Sequence, residues 1–210
     1  MSAKYQLYYS PGACSMAVHV LLHELNQPLD LCKVNLRAPR EEGFLKVSPR
    51  GQVPVLVEDG TPIIEGAAIL MHLCEKFKSD LLPSEGVARG KALEALMFFN
   101  ATMHPAYSKF FFADKSSIDD KAKEQIKQEA CDKIQKLWDQ VDEHLATSPY
   151  VAGDKMTVGD ILMTVIANWT FISSPPKLGQ NVKRVIAEIS QRPAYQAALE
   201  HEGVEYKAAA

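Results

Sequence analysis

The sequence predicts a small α/β domain followed by an all-helical domain. Two observations carry this. The first eighty residues alternate between strand-like and helix-like hydrophobic periods. After Leu81-Leu82-Pro83-Ser84 the strand signals stop and helical patterns take over.

Taken in order, YQLYY (from Tyr5) reads as a strand, Ser15–Glu24 as a helix and LDLCKVNL (from Leu29) as a second strand. A polar stretch follows, with a short helix around Glu41–Lys46. VPVLVED, an Asp59-Gly60 turn and TPIIE make a hairpin, and Gly66–Phe77 a helix. Beyond the junction, Ala88–Thr102 is apolar and helical. From Ile118 to Leu145 the apolar residues Ile126, Ala130, Ile134, Leu137, Val141 and Leu145 mark one face of a long helix. Thr157-Val158-Gly159-Asp160 is a capping box with Asp in place of Glu. The helix it opens is apolar nearly all round through Phe171, so it belongs at the centre of its domain. Helices from about Val182 to Ser190 and from Pro193 complete the chain.

Composition narrows the function. The 210 residues are 47% hydrophobic and 23% charged, with a formal net charge of −3 and no basic run, which disfavours nucleic acid or an anionic membrane as the main partner. The N-terminus lacks a signal-peptide pattern, and the longest apolar run, Ile161–Ile172, is too short to span a bilayer and is broken by Asn168. A cytoplasmic protein with reduced thiols is expected. The four cysteines form no CxxC motif and no zinc-like cluster; Cys32, Cys74 and Cys131 read as core, and Cys14 stands apart.

Cys14 lies where the first strand, broken by Pro11-Gly12, becomes a helix. A thiol there faces free amides and the positive end of the helix dipole, a bias of about 1 kcal/mol toward thiolate. From an ordinary value of about 8.5, that is enough to ionise a cysteine substantially near neutrality. The position equally suits a small residue packing the turn. In Gly51-Gln52-Val53-Pro54, proline interrupts an apolar strand, as at a sheet edge. A cis Val53-Pro54 bond would turn the Val53 amide and carbonyl outward toward an extended peptide-like ligand. Glu65-Gly66 opens a helix: its amides suit a carboxylate, Gly66 permits close approach and Glu65 could accept an ammonium, although plain capping explains the same residues. His19 and His23 stand four apart in HVLLHE, but the HExxH glutamate and a third ligand are missing, so no metal is expected. His104, after an apolar helix, reads either as a C-terminal histidine complementing the dipole or as a site residue.

Together, YYSPGACSMA, SPRGQVPVLVEDG, IIEGAAILMHL, LLPSE and TVGDILM resemble the glutathione S-transferases, most closely their bacterial beta class, over nearly the whole chain. The resemblance implies a thioredoxin-like glutathione-binding domain over residues 1–82, a linker over 83–88 and a helical domain over 89–210 carrying the electrophile pocket. It implies that Cys14 and His104 are catalytic, Cys14 being the cysteine able to form a mixed disulfide with glutathione. Gln52, Val53, Pro54, Glu65 and Gly66 would join them in holding glutathione, and Met103, Tyr107 and Phe110 would line the electrophile pocket. A homodimer without metal is implied. The basic residue that meets the glycyl carboxylate in the family corresponds here to about Pro39, leaving Arg37 or Arg40, and Pro105 follows His104 where relatives often carry Lys. Conjugation of glutathione to small hydrophobic electrophiles is the leading activity. A thiol-disulfide oxidoreductase or peroxidase using Cys14, and a non-catalytic binding protein, are the alternatives.

Overall fold

The computed structural model describes residues 5–170, 172 and 174–209. Four strands, β1 (Tyr5–Tyr9), β2 (Leu29–Lys33), β3 (Val55–Glu58) and β4 (Thr61–Ile64), form one sheet in the order β2-β1-β3-β4. β1 pairs parallel with β2, as a connection through a helix requires, and antiparallel with β3. The Asp59-Gly60 turn joins β3 to β4, with φ of 49° and 79° at its two residues. This left-handed geometry is what an Asp-Gly pair supplies in a hairpin.

Helices α1 (Ser15–Glu24), α2 (Glu42–Val47) and α3 (Gly66–Lys76) flank the sheet. α4 (Gly86–Met97), α5 (His104–Lys115), α6 (Asp120–Leu145), α7 (Val158–Ala167), α8 (Gln180–Ser190) and α9 (Pro193–Glu202) follow. Tyr5, Leu7 and Tyr9 alternate inward from β1, while β3 is buried along its whole length, as expected of the central strands. α1 is buried from Ser15 to Leu22 because it packs against α3, α7 and α9 as well as β1. One core cluster therefore runs without a break from the sheet into the C-terminal helices.

α7 is buried at every residue, and Asp160 closes its start. The Asp160 carboxylate accepts the Thr157 N–H (2.8 Å), the Thr157 hydroxyl (3.0 Å) and the Val151 N–H (2.9 Å). The helix ends at Ala167; Phe171, to which the pattern extended it, lies outside the described residues. Cys74 and Cys131 are buried as expected, whereas Cys32 is only half-buried because β2 is an edge strand.

The segment around His104 departs from the sequence reading. The chain does not stop near Thr102: a π-helical turn, Phe98–Met103, joins α4 to α5. Pro105 supplies the reason, since its ring cannot donate an N–H and crowds the carbonyl four residues back. The helix widens by one turn and then continues. His104 is consequently the first residue of α5 and not a C-terminal cap, and the dipole argument for it fails.

Candidate active-site cleft

The cleft, about 1400 Å³, opens between the strand–helix junctions of the sheet and α5 with the segment after α7. Cys14, Gln52, Val53, Pro54, Glu65, Gly66, His104 and Phe110 all line it.

The turn leading to Cys14 is held from both ends of the chain. Gly12 has φ +68°, which a side chain would strain. Its N–H donates to Glu202 Oε2 on α9 (2.9 Å), and its carbonyl accepts the indole N–H of Trp169 (2.8 Å). Ser15 is buried and ties the turn to Ser10: its Oγ accepts the Ser10 N–H at 3.2 Å. Cys14 then caps α1, and its Sγ donates to the Val53 carbonyl at 3.6 Å.

This environment overturns the expected ionisation of Cys14. Burial pushes the thiol up to about 11, and the amides of Ser15 and Cys14 lower it only in part. The helix-start amides act as expected, but desolvation is larger, and Glu65 adds a further raising effect. The Val53 carbonyl can accept from a thiol and gives nothing to a thiolate. Cys14 is therefore protonated near neutrality.

The facing loop is equally well braced. The Val53-Pro54 bond is cis. Ser48 Oγ accepts the Gln52 N–H (3.0 Å) and donates to the Gln52 carbonyl (2.8 Å). Arg40 spends its guanidinium on backbone carbonyls: Gly51 (2.8 Å), Asn35 (3.0 Å), Ala38 (2.5 Å) and Leu36 (3.2 Å). Arg37 lines the cleft with an exposed side chain. At the start of α3, Glu65 holds φ 75°, an uncommon conformation for a non-glycine that costs on the order of 1–3 kcal/mol. Its carboxylate is paired with the Arg50 guanidinium, and Arg50 also lines the cleft. A Cβ on Gly66 would come within 3.5 Å of the Pro54 ring, so the two junctions abut.

On the opposite wall, the His104 ring meets Trp169 edge-on at 4.9 Å, and burial lowers its pKa, keeping the imidazole neutral. Trp169 thus connects His104 to the carbonyl of Gly12. Phe110, Phe111 and Trp169 supply apolar wall. Met103 and Tyr107 do not reach the cleft. Both are fully buried in the core, and the Tyr107 hydroxyl accepts the Trp138 indole N–H at 3.0 Å. Tyr107 shares a helix face with Phe110 and Phe111, three and four residues on. It lies behind the wall, its ring packed edge-on at 5.3 Å against Trp169, which lines the cleft.

Sequence reasoning missed Arg50, Trp169 and Glu202. Arg50 stood in plain view two residues before Gln52. Trp169 and Glu202 join the site only through contacts 157 and 190 residues distant in the chain.

Two family models match the chain, the glutathione S-transferase N-terminal domain over residues 7–81 and the glutathione S-transferase C-terminal domain over residues 99–193. Glutathione S-transferase GST-4.5 of Xanthomonas campestris pv. campestris is 30% identical over 95% of this chain and 99% of its own. Among solved structures, a sphingomonad glutathione S-transferase complexed with glutathione superposes with a TM-score of 0.82 at 30% identity, covering 95% of this chain and all of the other. A bacterial beta-class glutathione S-transferase from Sphingomonas chungbukensis has the same TM-score at 29% identity over the same shares. The sheet order, the braced Cys14 turn and these matches over nearly the full length agree, and the chain belongs to the glutathione S-transferase family.

Proposed function

We propose that the protein is a beta-class glutathione transferase that joins the glutathione thiolate to small hydrophobic electrophiles, as in cytoplasmic detoxification, and works as a homodimer. No described helix is long and apolar enough to cross a membrane. The observation that carries the reading is the cleft itself. It brings the Cys14 thiol, the Val53 backbone and the start of α3 onto one wall, facing a neutral histidine and aromatic rings on the other.

The division of labour follows the chain: residues 1–82 hold the peptide, 83–88 link, and 89–210 complete the electrophile pocket. The Val53 amide and carbonyl pair with the cysteinyl unit of glutathione, and the braced Gln52 keeps that edge in register. Glu65 and the amides at Gly66 take the ammonium and carboxylate of the γ-glutamyl end, with Arg50 steadying Glu65. Of the two arginines, Arg37 is the one free to meet the glycyl carboxylate, because Arg40 is occupied by four carbonyls. The electrophile lies against Phe110, Phe111 and Trp169, with Met103 and Tyr107 behind them as support.

Chemistry needs only stabilised negative charge on the glutathione sulfur. A protonated Cys14 can donate to that sulfur, leaving the Val53 carbonyl free for the peptide. The neutral His104 can take up the proton the sulfur gives up. Preorganised donors of this kind act where charge develops. The same protonated state counts against Cys14 as the resting nucleophile of a disulfide exchanger, since the thiolate is the reactive form. The test is incubation of purified protein with glutathione and a small aryl halide, with the thioether quantified by mass spectrometry. Enzyme-dependent product supports the reading; tight glutathione binding with no product above background would leave a binding protein.

A further inference from the structure

α1 and α9 bring three histidines together. His19 and His23 lie one turn apart on α1 and His201 lies near the end of α9. Their ring centroids are 4.9 Å (His19–His23), 5.7 Å (His19–His201) and 5.2 Å (His23–His201) apart. One ring nitrogen of each lies within 4.8 Å of one from both others. His19 is fully buried, His23 partly buried and His201 exposed, so the cluster runs from the core to the surface.

The hydrogen bonding of the cluster is incomplete. Nε2 of His19 and Nε2 of His23 are both shielded from water, and neither has a hydrogen-bond partner. Buried polar atoms are normally paired, so two orphans in one cluster require an explanation. Glu202 sharpens the point. Its Oε1 lies 2.9 Å from His19 Nδ1, and a carboxylate only accepts. A proton therefore sits on Nδ1, and Nε2 is the ring nitrogen left without a partner. A carboxylate behind a histidine whose other nitrogen is free is how proteins orient imidazole metal ligands. Ring stacking alone would pack the three rings but would leave both nitrogens unsatisfied.

We propose that His19, His23 and His201 form a divalent-metal site of the zinc class, with a fourth position open to solvent beside His201. Three neutral imidazoles suit zinc, nickel or copper, and three histidines plus water complete a tetrahedron. Zinc–nitrogen bonds of about 2.0–2.1 Å place tetrahedral nitrogens about 3.3 Å apart, so the ligands must close by about 1.5 Å at most. Rotation of the exposed His201 supplies that movement. A bound ion would staple α1 to α9. Through Glu202, which also accepts the Gly12 N–H, it would stiffen the turn before Cys14.

The experiment is titration of chelator-stripped, full-length protein with Zn²⁺ by calorimetry, and with Co²⁺ by absorption spectroscopy. The expected result is one equivalent bound, tetrahedral Co²⁺ bands and no sulfur-to-metal charge-transfer band. His201→Ala, at an exposed position, and His23→Gln should each weaken binding by about 100-fold or more. Loss of an orienting outer partner alone costs about 10–100-fold, which is the effect expected of Glu202→Gln. Circular dichroism establishes that each variant is folded. Absence of stoichiometric binding, unchanged affinity in both histidine variants, or a sulfur charge-transfer band would overturn the proposal.

Discussion

Glu202→Ala removes one side chain that serves two partners, the buried His19 and the part-buried Gly12. The carboxylate accepts the Gly12 N–H at 2.9 Å through Oε2 and meets His19 Nδ1 at 2.9 Å through Oε1. Hydrogen bonds to a charged group are worth about 1.5–3 kcal/mol each. The two share one side chain and do not add in full, so the expected loss is about 3–4 kcal/mol. In a chain of this size each kcal/mol lowers the melting temperature by about 2–4 °C, giving a fall of about 6–16 °C. Glu202→Gln separates geometry from charge. Its amide oxygen can still accept from Gly12, and its NH₂ can donate to His19 once the imidazole proton moves to Nε2. Its loss should be no more than half that of Ala. Thermal unfolding followed by circular dichroism, in metal-free buffer, reads both variants. An Ala variant melting within about 2 °C of the parent would refute the reasoning, because a brace across the whole chain could not then be tied to this residue. Gln costing as much as Ala would refute the hydrogen-bond account.

Cys14, held at about 11 against an ordinary 9.0, has about 100-fold less thiolate near pH 7 than an unperturbed thiol. Iodoacetamide labelling with peptide mapping should therefore be slow at Cys14 at pH 7 and rise steeply toward pH 11; rapid labelling near pH 6 would contradict the burial argument. Asp160→Ala strands the Thr157 and Val151 amides at a buried helix start and should cost about 1–3 kcal/mol by urea unfolding, with activity per folded molecule kept. Lost activity at unchanged stability would make Asp160 a site residue. His104 has a folded pKa below its unfolded 6.5, so between the two values the unfolded chain holds the extra proton. Stability should fall as pH drops through about 6.5, and His104→Gln should flatten the melting temperature between about pH 7 and 5.5. An equal slope in the variant would show that His104 is not the group responsible.

Local chemistry made much of the fold legible. Pro11-Gly12 between two hydrophobic periods marked the Cys14 seam, and Asp59-Gly60 marked the hairpin. Thr157 to Asp160 marked the start of α7. Each feature depends on neighbours a few residues away. Two local readings failed because distant packing decided them. The ionisation of Cys14 followed from the helix start in isolation, whereas the sign is set by burial, with Glu65 adding to it. His104-Pro105 looked like a helix end, yet a π-helical turn absorbs the proline and the helix continues. Trp169, Glu202 and His201 carry no motif at all. They enter through the packing of α1 against α9 and of the segment after α7 against the Gly12 turn. Met103 and Tyr107 failed as wall residues because an apolar helix face does not reveal which of its residues a distant side chain such as Trp169 will lie against.

The central claim is that the attacking sulfur belongs to glutathione and that Cys14 only shapes its surroundings. Cys14→Ala, assayed on one preparation for aryl-halide conjugation, disulfide exchange and covalent glutathione capture, tests it most directly. The variant should form no glutathione adduct by mass spectrometry and catalyse no exchange, because only a thiol can make the mixed disulfide. It should keep measurable conjugation, weakened by the loss of one donor. Equal loss of conjugation and exchange in a variant that still binds glutathione would make the Cys14 thiolate essential to both, and would contradict the mechanism.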